Sequence, residues 1–285
     1  MQIYNIFVMN NISHMHELEK PAKRGTVRQK LGKEYFILKK NLSNLFTKKQ
    51  FSCSKQKDFK GHVVFQHHSV ILRRLKDVDM YLQENKRTNL GLAIKRINNI
   101  IIKPGETFSV WRLLGRPTAR KGYLEGLIIN QGKIQKGTGG GLCQLSNLLY
   151  WMFAHSPITI TERHRHSFDV FPDSGRTVPF GAGATISYNY IDLQVKNPTK
   201  MSFQIVLWLD EIYLNGKLLC SEPLHKTYEI EERNHCFKQQ LWGGYSRHNQ
   251  IFRIETDKYG NKEEQLLAEN HALLMYAPFL GNNNP

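Results

Sequence analysis

An α+β fold is predicted for this chain of 285 residues, with helices early and mainly antiparallel strands after residue 157. Three observations carry that reading. Apolar residues recur at three- and four-residue spacings in the first half, which is the period of a helix with one buried stripe. Beyond Pro157 the pattern changes to alternating or continuous apolar runs of strand length. The strands follow the helices and do not alternate with them, so an antiparallel arrangement is expected and a parallel βαβ sheet is not. The chain divides into a basic, helix-containing arm at 1–75, a core at 76–200 and a β-rich extension at 201–285.

Each element has its own signal. Residues 1–20 read as a ragged terminus. Residues 27–46 have mixed helical character, with Leu31, Tyr35, Leu38, Leu42 and Leu45 at three- and four-residue spacings. Residues 47–68 are polar and basic and are expected to be loop. Residues 87–99 form a stronger helix, with Leu90, Ile94, Ile97 and Ile101 inward and Lys95 and Arg96 outward. Lys103-Pro104-Gly105-Glu106 ends it in a turn, and Phe108 and Trp111 follow as core aromatics. Residues 126–136 make a hairpin about Gly132. Strands are expected at 159–162, 185–195 and 202–209. Asn215-Gly216, between 212–214 and 217–219, predicts a type I′ hairpin. Residues 251–256 and 265–276 flank a turn at 257–261.

Composition narrows the function. Lys and Arg number 40 against 24 Asp and Glu, a formal charge of +16. Such an excess attracts polyanions: nucleic acid, anionic lipid or an anionic wall polymer. It is concentrated at 20–60, where Lys20, Lys23, Arg24, Arg28, Lys30, Lys33, Lys39 and Lys40 lead the run. The ordinary reading of such a run is a solvated surface, and an anionic polymer is the partner it fits. No nucleic-acid recognition motif accompanies it, so specific nucleic-acid binding is not expected. Cys53, Cys143, Cys220 and Cys236 are widely spaced and make no Cys-x-x-Cys pair. That speaks against a zinc ribbon or a thioredoxin-type site and suits a reducing compartment or four free thiols; a Cys220–Cys236 pair is open, though nothing in their context demands it. His62, His67 and His68 have no acidic or cysteine neighbours at ligand spacing and read as surface residues, so no metal or cofactor is expected. No stretch approaches the ~20 apolar residues of a spanning helix. No export signal is readable at the start, and a cytoplasmic protein is the expectation.

The segment 137–147, GTGGGLCQLSN, carries the chemistry. Three glycines run into Cys143, and Cys143 opens a helix to about residue 155. Leu145, Leu148, Leu149, Met152 and Phe153 form its apolar stripe. At 100° per residue Cys143 lies on the other side, with Asn147 and Tyr150 beside it, and its thiol points away from the core. A helix start favours thiolate through unpaired N–H groups and the helix dipole, and glycines allow a ligand or another backbone to come close. This is the setting of a nucleophile or of an anion site, although free cysteine is also a common buried residue. A second cluster, 162–169, places Arg163, His164, Arg165, His166, Ser167 and Asp169 together. A thiol nucleophile needs such a base or cation beside it. Arg163 or Arg165 suits a carboxylate by a bidentate fork. The same residues also fit a basic surface loop.

The blocks KPGETFSVW (103–111), GTGGGLCQLSNLLYWM (137–152), ERHRHSFDVFPD (162–173), PFGAGATISYNYIDLQVKN (179–197) and YAP (276–278) resemble the VanW family. The resemblance runs from about Arg28 to Pro278. It implies a link to cell-wall biology and glycopeptide resistance. Some larger, exported relatives are regarded as cysteine-dependent L,D-transpeptidases that cross-link peptidoglycan stems, a linkage that needs no D-Ala-D-Ala terminus for vancomycin to bind. In that chemistry Cys143 matches the nucleophile, His166 the histidine of the Arg-x-x-His-Ser block, with His164 as its alternative, and Arg163 the arginine. Gly139, Gly140, Gly141, Gln144, Asn147, Arg163 and Ser167 would then face the substrate, and amides after Gly140 and Gly141 would hold an oxyanion. Exported relatives have Asp-Ala-Thr where this chain has Gly183-Ala184-Thr185, so Asp169, Asp173 or Asp192 would have to orient the histidine. The other class open to the chain is a non-catalytic protein that binds peptidoglycan precursors or a partner, with Arg163 as the anchor.

Overall fold

Four antiparallel strands, in the order β1-β10-β9-β2, form the sheet on which the central helix rests in the computed structural model. The structure describes residue 18 and residues 25–72, 79–130, 132–170 and 177–278. Lys20, Lys23 and Arg24 of the basic run, the ragged start and Asp173 lie outside the described residues. The strands are β1 (His62–Val70), β2 (Ile101–Ile102), β9 (Phe203–Leu209) and β10 (Tyr213–Cys220). They come from both sides of positions 75 and 200. The helices are α1 (Thr26–Leu45), α2 (Met80–Ile97), the short α3 (Val110–Leu114) and α4 (Cys143–Ala154). The α+β class, with helices early and mostly antiparallel sheets later, is the observed architecture.

The apolar stripe of α4 lies as its spacing predicts: Leu145, Leu148, Leu149, Met152 and Phe153 are buried against the core that α2, β9 and β10 also supply. Phe108 and Trp111 are buried with them. The hairpin about Gly132 is present as β4 (Glu125–Asn130) paired with β5 (Lys133–Thr138). β3 (Thr107–Ser109), β8 (Gln194–Lys196) and β6 (Thr159–Glu162) form a small antiparallel sheet.

Four expectations need correction. The loop expected at 47–68 contains most of β1. Val63 and Phe65 pair with β10 across a register shift at Val64, and β1 lies at the sheet edge, where its Gln and His side chains can face outward. His67 is only half-exposed, and burial, with His68 next, lowers its pKa. The hairpin expected at Asn215-Gly216 lies instead at Asp210. There Asp210 Oδ1 accepts the amides of Ile212 and Tyr213 at 2.8 and 2.6 Å, and Oδ2 accepts Asn215 Nδ2 at 2.7 Å. Gly216 sits mid-strand because α4 passes over it: a Cβ there would be 2.8 Å from Met152 Sδ. The strand expected at 185–195 is reduced to β8: before it, the Thr185 amide goes to the His164 carbonyl, Ser187 and Ile191 bond each other, and the Ile191 carbonyl accepts the Trp111 indole N–H. Finally, a 14-residue strand, β11 (Lys226–Gln239), was not foreseen. It opens a long antiparallel meander with β12 (Tyr245–Asp257) and β13 (Lys262–Leu274), whose turn falls where 257–261 predicted it. β7 (Phe168–Asp169) adds to β13 in parallel.

The meander is tied to the end of α4. Arg253 of β12, 5% exposed, donates to the carbonyls of Ser156 and Ile158 at 2.6 and 3.2 Å. Asn249 Nδ2 donates to the Phe180 carbonyl at 2.6 Å. The 179–187 loop is thereby held between α4 and the meander.

Candidate functional site: the start of helix α4

The glycine run is shaped by backbone packing. Gly140 lies against Gly126 of β4 so closely that a Cβ on Gly140 would be 2.1 Å from the Gly126 carbonyl carbon. Gly139 and Gly141 have φ of +77° and +90°, a region L side chains rarely adopt. The fully buried Asn89 of α2 fastens this turn: its Nδ2 donates to the carbonyls of Leu124 and Gly140, both at 3.0 Å. The glycine amides are already in use. Gly139 N–H donates to the Leu124 carbonyl, Gly140 N–H to Gly137 and Gly141 N–H to Leu127, at 2.9–3.0 Å. Of the two amides expected to hold an oxyanion, those after Gly140 and Gly141, the first is thus taken by the Leu127 carbonyl.

Cys143 is the first residue of α4, as expected. Its thiol is half-buried against the core and donates to the Ile186 carbonyl at 3.7 Å. Burial pushes the thiol pKa up. The expected solvent-facing side of α4 is covered. Tyr150, one turn beyond Asn147, is fully buried. The 181–187 loop lies along Cys143, Ser146 and Asn147: Ser146 Oγ donates to the Ala184 carbonyl at 2.6 Å, and Asn147 Oδ1 accepts the Ala184 amide at 2.9 Å. A Cβ on Gly183 would be 2.5 Å from Asn147 Oδ1. The Asn147 amide thus fills the space beside Gly183. Gln144 turns the other way, its Nε2 donating to Ser69 Oγ at 2.9 Å and to the Val70 carbonyl at 2.8 Å on β1.

The Arg/His block contributes scaffolding around this loop. Arg163 Nε donates to the Gly183 carbonyl at 2.8 Å; its Nη2 donates to the Gly181 carbonyl and, at 3.0 Å, to Asn270 Oδ1. The guanidinium also stacks 5.1 Å from the centre of the Tyr150 ring. His164 is exposed, with Nε2 at 3.5 Å from Glu162 Oε1, and its carbonyl accepts the Thr185 amide. His166 is half-buried; burial lowers its pKa, with Arg165 adding to the shift. Neither histidine is a hydrogen-bond partner of Cys143 among the described residues. Ser167 is exposed, and its carbonyl accepts the Leu273 amide.

The candidate orienting carboxylates have other partners. Asp169 accepts from Tyr276 Oη of the YAP block at 3.1 Å and lies 3.5 Å from Arg247 Nη1. Asp192, 2% exposed, accepts from Ser109 Oγ at 2.5 Å, Trp111 N at 3.2 Å and Gln194 Nε2 at 3.2 Å. Burial raises its pKa to about 6. Beside it, Glu162 accepts the Asp192 amide at 3.2 Å and pairs with Lys40 of α1 at 2.5 Å. Sequence reading did not foresee this Ser109–Asp192–Glu162–Lys40 group. Its signal is dispersed over residues 40–192, and only the small sheet brings them together. No cluster of three or more metal-binding side chains occurs among the described residues, and all four cysteines are free thiols.

Comparison with known proteins places this arrangement in a family. A family model described as VanW like protein matches residues 85–219, from α2 through β10. The vancomycin B-type resistance protein VanW of Enterococcus faecalis is 37% identical over 184 residues, covering 65% of this chain and 67% of that protein. The uncharacterized protein YoaR of Bacillus subtilis is 33% identical over 114 residues, covering 40% of this chain and 36% of that protein. No solved structure matches. The matched span holds the glycine turn, the α4 cysteine, the Arg/His block and the loop that Arg163 fastens, and on these grounds the chain belongs to the VanW family.

Proposed function

We propose that this chain is an accessory protein of glycopeptide resistance that binds peptidoglycan stem peptides or their precursors without a covalent step. The observation that carries the non-covalent reading is the thiol of Cys143. It donates to the Ile186 carbonyl, burial favours its neutral form, and no histidine base is hydrogen-bonded to it. A thiol so held is a weak nucleophile at neutral pH. The resistance context is supported by the printed name of the E. faecalis relative, and the excess of positive charge suits an anionic wall component.

Incubation with a muropeptide tetrapeptide, followed by titration calorimetry and intact mass measurement, tests this. Saturable binding with no change in protein mass is expected. An acyl adduct on Cys143 overturns it.

One observation favours a second reading, thiol acyl transfer: Cys143 is the first residue of a helix and only half-buried. There His166 would take the thiol proton as the Cys143 sulfur attacks the carbonyl after an L-centre, pass it to the departing D-amino acid, and then deprotonate the incoming amine that takes the acyl group off the sulfur. The same mass measurement separates the two.

A further inference from the structure

We propose that α1 is a membrane-surface helix that seats this protein on an anionic lipid bilayer. Val27, Leu31, Tyr35, Leu38, Leu42 and Leu45 fall within an arc of about 80° at 100° per residue. All six face outward, at 47–77% exposure. Large apolar side chains of this kind are normally scattered on a surface, not aligned along a whole helix.

The sides of α1 outside the stripe are fastened to the protein, so the stripe cannot simply turn inward. Ile37 is buried. Lys40 pairs with Glu162 at 2.5 Å and Glu34 with Arg116 at 2.9 Å. Phe36 stacks on Tyr190 at 6.0 Å, and Asn41 Oδ1 accepts Asn189 Nδ2 at 2.6 Å.

Charge selects the occupant. Within α1, Lys40 is taken by Glu162, and the exposed Arg28, Lys30, Lys33 and Lys39 oppose only Glu34, so 4 − 1 gives +3, and Lys48 and Lys49 follow directly. Arg28 and Lys39 border the stripe. A second copy laid against it would bring two such basic helices together, each offering as an acid only Glu34, which is already paired with Arg116. A bilayer of anionic lipid accepts both features: acyl chains take the apolar stripe and headgroups take the cations. No described helix is long and apolar enough to cross a membrane, so α1 lies along the surface. This inference is independent of any chemistry at Cys143.

The test is co-sedimentation of the full chain with phosphatidylcholine vesicles, with and without about 30% phosphatidylglycerol, a fraction rich enough for the surface potential to act. The expected result is partitioning onto the anionic vesicles at least ~10-fold stronger than onto neutral ones. Leu38→Asp with Leu42→Asp should lower it at least ~10-fold, since the buried apolar area sets the binding. The variant's circular dichroism and thermal midpoint should match the wild type. No binding by the wild type overturns the proposal. Undiminished binding by the double variant also overturns it and leaves a simple polycation. A wild-type dimer in sedimentation equilibrium that the variant lacks assigns the stripe to a second copy. A large fall in the variant's thermal midpoint assigns it to the chain's own packing. Either result overturns the membrane assignment.

Discussion

Helices α1 and α4 share one apolar spacing and have opposite surroundings. In α4 the stripe is sealed in the core, and the polar side is covered as well, by the 181–187 loop and Arg163. In α1 the stripe faces out, and the contacts that hold the helix, Ile37, the Phe36–Tyr190 stack, Lys40 and Asn41, lie outside it. Period 3.6 identifies a helix. It does not say what the apolar face meets, because that depends on which other segments arrive there.

The sharpest way to break the comparison is to remove the same side chain from each helix. Leu148→Ala, in the core, should destabilise the fold by about 2–5 kcal/mol. Leu38→Ala, at 58% exposure, should change it by no more than about 0.5 kcal/mol. Equilibrium urea unfolding measures both, and similar losses would erase the distinction.

Glycines give a second contrast, with opposite signs. Gly140→Ala forces a methyl into the Gly126 backbone and should cost about 3 kcal/mol, the upper end of overpacking effects. Gly32→Ala in α1 meets nothing within 4 Å and should stabilise by about 0.5–1 kcal/mol through helix propensity. Thermal midpoints of the two variants should move in opposite directions.

Two buried titrating groups sharpen the picture at the meander and the small sheet. Asp192 has its pKa raised to about 6, so its contribution is full below the unfolded carboxylate value and is lost as pH rises through about 6. His248 of β12 has its pKa lowered to about 4, by burial first and the facing His271 second. Its contribution is present above the unfolded histidine value and lost as pH falls through about 4. The two slopes oppose each other between these limits. Asp192→Asn removes one, so stability of that variant should rise more steeply with pH from 4 to 6.5 than that of the wild type. Parallel profiles by urea unfolding would remove Asp192 from the account.

Much of the first half was legible because its signals are local. The α4 stripe, the hairpin about Gly132 and the aromatics Phe108 and Trp111 follow from spacing and turn residues alone. Asn215-Gly216 misled because a glycine that permits a tight turn also permits close packing, and here Met152 occupies the space above it. The apolar run at 185–193 lacks a ladder partner, which no local pattern reveals. At the site, the placement of Cys143 at a helix start was legible. The fate of the glycine amides was not, since the carbonyls that take them come from residues 124, 127 and 137. Nor could sequence tell that Arg163 would serve the main chain of Gly181 and Gly183.

The central claim is that Cys143 is a neutral, hydrogen-bonded packing residue, and its alkylation rate tests this most directly. Iodoacetamide labelling read by peptide mass spectrometry at neutral pH should modify Cys143 more slowly than the exposed Cys53, with the Cys143 rate climbing only in alkaline buffer. Labelling of Cys143 ahead of Cys53 at neutral pH would mean a stabilised thiolate and would contradict the account.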